Sequence, residues 1–151
     1  MLFRSDALRL ADAVFEGRRV DGYEPPSHAS PPRRIPQFVG ARGEQLNRLA
    51  SRTADGVFLS GFLPDALGPV VAQAHAHRPI DLAVYVSVRF SSRADPWSIT
   101  ATPQEAADVL ARLVATHRPA SIGIALVDGR PLDLMIEDAL STFDVLRGLL
   151  G

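Results

Sequence analysis

The sequence predicts an α/β fold built from parallel βα units. Three observations carry that expectation. Short apolar runs alternate regularly with helix-period segments, the runs are apolar almost throughout, and 151 residues suffice for one domain with a real core.

Leu8, Ala11, Val14 and Phe15 recur at helical spacing, which predicts an amphipathic helix over 6–16 ending at Gly17. Residues 22–36, GYEPPSHASPPRRIP, hold five prolines and two serines and suit an irregular surface connection. Ile35 to Gly40 is a candidate buried strand. Leu46, Leu49, Ala50 and Thr53 then mark the inner face of a helix over 44–54, and Val57 to Leu59 is a second strand. A helix over 65–77 follows Pro64, with Leu67, Val70, Val71 and Ala74 inward. Ile80 to Phe90, rich in β-branched and aromatic residues, is the third strand. Thr102-Pro103-Gln104-Glu105 is a helix start: threonine as N-cap, proline at the first position and Glu105 as the reciprocal capper. Val109, Leu110, Leu113 and Val114 continue that helix. SIGIALV at 121–127 is the fourth strand, and Ile136, Leu140, Phe143 and Leu146 line a last helix.

Four βα units in one row fit either a small open sheet or half of a (β/α)8 TIM barrel, whose full form takes about 250 residues. Periodicity does not choose between them.

Apolar residues make up 46% of the chain and charged residues 22%, close to the globular average. A net charge of −1 gives no electrostatic case for nucleic acid or an anionic membrane as partner. Cysteine is absent, which removes disulfides, thiol nucleophiles and cysteine metal sites. No stretch approaches the roughly 18 apolar residues of a membrane span. Arg4, Asp6 and Arg9 interrupt any signal-peptide core, so the expected location is cytoplasmic. Leu2-Phe3-Arg4-Ser5 matches the translated end of a common sequencing adapter, so residues 1–5 suit either a non-native leader or an ordinary start ahead of a helix.

In parallel βα folds, ligands sit beyond the C-terminal ends of strands. Gly40-Ala41-Arg42-Gly43 lies there, between the first strand and a helix. Its glycines let backbone approach a ligand, the helix start supplies free N–H groups, and Arg42 offers a guanidinium fork. That describes a phosphate or carboxylate site; the same residues also suit a bare turn with Arg42 in water. The spacing is neither GxGxxG nor Walker A. Ser60-Gly61 lies on the same rim and suits either the same pocket or a plain loop. Asp55-Gly56 precedes a strand and reads as a turn. The histidines, His28, His75, His77 and His117, do not cluster, and no metal set is expected. Glu105, Asp108, Glu137 and Asp138 read as solvated helix faces and first turns. Trp97, in the loop after the third strand, suits a pocket cover or simple packing.

RIPQFVGARGEQLNRLASRTADGVFLSG resembles the bacterial luciferase-like superfamily. Ile35-Pro36, Val39 to Ala41, Gly43, Leu46, Leu49-Ala50 and Ala54-Asp55-Gly56 fall into its pattern. DALRLADAVFEGRRVDG and WSITATPQEAADVLARL resemble its flanking segments. The resemblance implies a (β/α)8 barrel that binds FMN or the deazaflavin coenzyme of the F-420 type. Residues 6–151 would be its C-terminal half, supplying strands five to eight. It implies that the turn with Arg42-Gly43 and the helix start at Gln45-Leu46 hold the cofactor's phosphate end. Ser60 matches a position where some relatives bind a substrate phosphate.

Departures from the family pattern are Glu44 in place of a proline, Ala101 in place of a glycine, and only SSRADP between Phe90 and Trp97, where relatives carry another helix. The family residues that touch the reacting ring lie on strands one to four and have no counterpart here, so the catalytic residues are unassigned.

Two functions are therefore expected. One is a luciferase-like flavin- or deazaflavin-dependent oxidoreductase with a small-molecule substrate, present as a C-terminal fragment that needs its N-terminal half-barrel or a homo-oligomer partner. The alternative is a non-catalytic short relative serving as an assembly module.

Overall fold

A computed structural model describes residues 3–20, 22–26, 33–91, 93 and 95–151. His28 and the proline-rich residues 27–32 lie outside the described residues, as do Met1 and Leu2.

The elements follow the expected alternation: α1 (Phe3–Phe15), β1 (Phe38–Gly40), α2 (Glu44–Thr53), β2 (Gly56–Ser60), α3 (Leu67–Ala74), β3 (Asp81–Arg89), β4 (Ile99–Thr100), α4 (Pro103–His117), β5 (Ser121–Leu126) and α5 (Leu132–Leu150). A short 3-10 turn, Pro64–Ala66, leads into α3. Two boundaries have clear local causes. Gly17, at φ 71°, ends α1 with paired bonds from Gly17 N–H to Val14 O and from Arg18 N–H to Ala13 O. The start of α4 is the capping box read from sequence, with the Thr102 side chain accepting from Glu105 N and the Glu105 carboxylate accepting from Thr102 N.

All pairings are parallel. The main strands run in chain order, β1-β2-β3-β5. Val88 pairs with Leu126 on one side and with Ile99 on the other, so β4 continues the β2 side of β3 beyond the end of β2. The expectation of four strands is corrected to five. Two residues of β4 carry too little periodicity to be seen beforehand. The first strand is also shorter than expected, three residues in place of six.

Right-handed crossovers between strands laid down in one direction place every helix on the same face. The core agrees. Val57, Leu59, Leu82, Val84, Val86 and Val88 pack with Ala50 of α2, Leu67 and Ala74 of α3, Ala106, Ala107, Leu110 and Leu113 of α4, and Leu146 of α5. These strand residues alternate along each strand and point to one side. The other side carries Phe38, Phe58 and Tyr85. The registers set each ring beside small residues: Phe38 by Gly56, Phe58 between Gly40 and Ala83, and Tyr85 between Ser60 and Gly123. The Phe58 and Tyr85 rings are 4.8 Å apart. Phe38 and Tyr85 remain 40% and 41% exposed.

On α5 the expected inward set divides. Leu146 is buried and Phe143 half-buried, but Ile136 and Leu140 point outward, Leu140 being 60% exposed. Thr142 takes an inward position and satisfies its hydroxyl on Asp138 O at 2.8 Å. No described helix is long and apolar enough to cross a membrane.

Asp55 ties together the N-terminal edge of the sheet. Its carboxylate accepts from Gln37 N–H at 2.8 Å and from the Arg34 guanidinium at 2.7 Å, while its carbonyl accepts from Asp81 N–H at 3.0 Å. The Gln37 amide donates in turn to Asp12 and to Leu8 O, joining α1 to β1. Asp55 is thus a structural turn residue, as read. The Arg34 hydrogen bond holds its carboxyl below the ordinary carboxylate range. A folded-state pKa depressed in this way stabilises the fold at neutral pH, and the contribution disappears as pH falls below about 4. Asp55→Asn should therefore lower stability in urea unfolding at pH 7, and the gap to wild type should narrow at pH 3. A gap independent of pH would mean the carboxylate charge is irrelevant. Leu110→Ala, at a fully buried position, should cost about 2–5 kcal/mol in the same measurement.

Candidate functional site

The C-terminal ends of the strands form a rim on which the expected turn sits. Ala41 anchors it. Its side chain is buried, and its N–H donates to Phe58 O at 3.1 Å, fixing the turn to β2. Gly43 is the N-cap of α2, with φ −121° and ψ 156°, and no side chain caps the helix. Its carbonyl accepts from both Leu46 N–H and Asn47 N–H. The N–H groups of Glu44 and Gln45, in the first turn, have no intrahelical acceptor. Gln45 is exposed, whereas Leu46 packs against the core and serves as the hinge of that turn.

Gly40 and Gly43 have ordinary backbone conformations. Neither has a positive φ, so the backbone here does not require glycine. A Cβ added at either would meet nothing within 4 Å. Both positions therefore border open space, as the exposed Gly68, Gly129 and Gly148 also do.

Arg42 lies exposed across the rim. Its Nε donates to Ser60 O at 3.2 Å, and its guanidinium rests against Gly61. Gly61 is required there twice over, by its φ of 73° and because a Cβ would overlap the guanidinium. Among the described residues no carboxylate pairs with Arg42, so the terminal nitrogens of its fork stay available. Glu44 does not turn back on the helix start: its carboxylate pairs with Arg48 at 2.6 Å. Ser60 ends β2 on the uncovered face, in register with Tyr85. The structure thus brings Gly40, Ala41, Arg42, Gly43 and Ser60 together, with Gln45 and Leu46 on the adjoining helix turn. Backbone N–H groups, a guanidinium and a hydroxyl can together hold an oxyanion.

Two further arginines on the rim were not singled out from sequence. Arg130 donates to Asp128 and Asp138, both at 2.7 Å, and its guanidinium carbon stands 6.0 Å above the Phe90 ring. Burial favours the neutral form of Asp128, but the Arg130 bond and charge, together with the Ser91 side chain and a hydrogen bond from Phe90 N–H, outweigh it, and the carboxyl lies below its ordinary range. Arg89 pairs with Asp95 at 3.2 Å. These arginines are occupied in holding loops, unlike Arg42. The pairs join segments across strand ends, and no local spacing announces them.

The remaining candidates have structural partners. His75 Nε2 lies 3.1 Å from Ile80 O, and His77 Nε2 accepts from Arg52. Trp97 is 75% exposed and neither covers a pocket nor packs. Among the described residues no three His, Asp or Glu side chains gather as a metal site. A groove of about 480 Å3, lined by Leu63, Asp65, Ile99, Arg112 and His117, lies between the 3-10 turn that precedes α3 and α4, and none of the turn residues 40–43 lines it.

A comparison with protein-family models finds no match for this chain, and a comparison with curated proteins finds none either.

Proposed function

We propose that this chain is the C-terminal half of a luciferase-like flavin- or deazaflavin-dependent oxidoreductase, and that the turn between β1 and α2 holds the phosphate end of the cofactor. One observation carries the reading. Gly40 and Gly43 keep space open before an uncapped helix start, and Arg42 is fastened beside that space by one bond that leaves its fork free. A phosphate fits this set by charge, by donor geometry and by room.

The fold supports the same reading. Parallel strands in chain order with helices on one face are the arrangement of consecutive units in a (β/α)8 barrel, here strands five to eight. When bound, the isoalloxazine or deazaflavin ring supplies the hydride or electron chemistry. The work of this chain is to fix that ring's tether. Arg42 neutralises the phosphate, the N–H groups of Glu44 and Gln45 orient it, and Ala41 keeps the turn pinned to β2. Ser60, facing the uncovered side, is placed for a polar group of a small-molecule substrate. FMN and the deazaflavin coenzyme present the same phosphate to this rim, so both are candidates.

A second reading, a non-catalytic assembly module, is favoured by one observation. The Phe38, Phe58 and Tyr85 face is uncovered, as an interaction surface would be.

Titration with FMN and with the deazaflavin coenzyme tests the first reading. The chain should bind one of them weakly and saturably, and Arg42→Ala should weaken that binding by about 1–3 kcal/mol. Equal binding by the variant would remove the assigned role of Arg42. Gly40→Ala separates ligand from fold: stability should hold or rise by about 0.4–1 kcal/mol while affinity falls. Gly61→Ala should instead lower stability, through strain and displacement of Arg42.

A further inference from the structure

We infer that a second copy of this chain covers the open sheet face, the two copies closing about a two-fold axis along the strands into one eight-stranded parallel ring. The inference rests on the half-barrel part of the reading above and not on its cofactor.

Parallel sheets are covered on both faces, and among the described residues this one has helices on one face only. The uncovered face does not look like a surface made for water. Between Asp81 at one end and Arg89 at the other, it presents rings set among glycine, alanine and serine. Gly56 lies under the Phe38 ring and Gly123 under the Tyr85 ring, where a Cβ would come within 2.9 Å of Cζ. Large residues staggered with small ones are what two such faces need in order to interdigitate.

The lateral edges call for parallel strands on both sides at once, and a second copy supplies them from this chain alone. The sheet ends in β1 on one side and β5 on the other, each with an unpaired outer edge. A two-fold rotation about the strand direction keeps all strands parallel and lays β5 of each copy beside β1 of the other. Four main strands from each copy give eight, the number whose interior side chains just fill. The outer layer repeats the match. Leu132, Ile136 and Leu140, at i, i+4 and i+8, form an exposed stripe on α5, at the β5 edge. Leu10 and Phe15 are exposed on α1, at the β1 edge. One seam would cover both, and it occurs twice in a closed pair. A single added helix or strand would fill the face but leave one of these edges bare. The closed ring also surrounds the rim that holds Arg42, a site each copy leaves open by itself.

Sedimentation velocity of the chain should show a discrete species of twice the 16.3 kDa chain mass. Leu140→Lys should shift it to monomer with unchanged far-ultraviolet circular dichroism. Because the chain has no cysteine, Leu10→Cys combined with Leu140→Cys offers a direct readout. Oxidation should give covalent dimers and no higher ladder. A monomeric wild type at 100-fold varied concentration, an open-ended cross-linked ladder, or a dimer that ignores Leu140→Lys and fails to cross-link would each overturn the inference. The cofactor reading fails separately: a dimer that binds neither FMN nor deazaflavin removes it and leaves the ring, whereas a monomer with Arg42-dependent binding does the reverse.

Discussion

The direction of strand addition governs this molecule. The main strands are laid down without reversal, and under the right-handed rule for parallel crossovers their helices fall on one face, where the core residues of α2, α3, α4 and α5 pack. One face of the sheet is therefore sealed by the chain's own helices and the other is not. The composition of the strands follows that asymmetry. Helix-side positions of β3 are Leu82, Val84, Val86 and Val88, all buried, while the opposite positions run from Asp81 through Ala83, Tyr85 and Ser87 to Arg89. A doubly wound sheet would have needed branched aliphatics on both sides. The absence of a reversal also removes the crevice at which such sheets bind ligands, leaving the strand-end rim as the place for chemistry.

The two ends of the sheet are used differently. At the N-terminal end the polar groups are engaged with one another. Asp55 meets Gln37, Arg34 and Asp81, Gln37 reaches α1, and the Arg78 guanidinium donates to Ala54 O. At the C-terminal end Arg89 and Arg130 fasten loops through carboxylates, whereas Arg42 is held by a single carbonyl. A cation positioned by a neutral acceptor keeps its full charge for another partner, which is the electrostatic difference between a brace and a binding group.

Much of this was legible in the sequence, and the remainder failed for identifiable reasons. Thr102, Pro103 and Glu105 specify a helix start through bonds only three residues apart, and the structure has each of them. Gly17 as a helix stop is equally local. The order of βα units followed from period alone. By contrast, β4 exists because β3 outlasts β2 and leaves an edge to be paired, a fact of register that two residues cannot signal. The sequence places Ile136 and Leu140 inward because α5 is apolar on more than one side, and periodicity cannot rank two stripes without knowing which of them meets α4. The Arg42 contact with Ser60 spans 18 positions and depends on Gly61 lying flat beneath the guanidinium. Position beyond a strand end located both partners; only the fold joined them.

The glycines separate structural need from vacancy. Gly61 answers to backbone conformation and to the guanidinium above it, and Gly56 and Gly123 answer to aromatic rings lying over them. Each of these has an occupant within the chain that explains the missing side chain. Gly40 and Gly43 have none: ordinary φ, open space, and a helix start that no side chain caps. Glycine at Gly40 weakens a strand end relative to alanine. Glutamate at Glu44, which sits well placed to satisfy the helix start itself, reaches instead toward Arg48. A helix start that no side chain caps, beside an arginine with no carboxylate partner among the described residues and next to two exposed glycines, is the arrangement on which the proposed phosphate site rests.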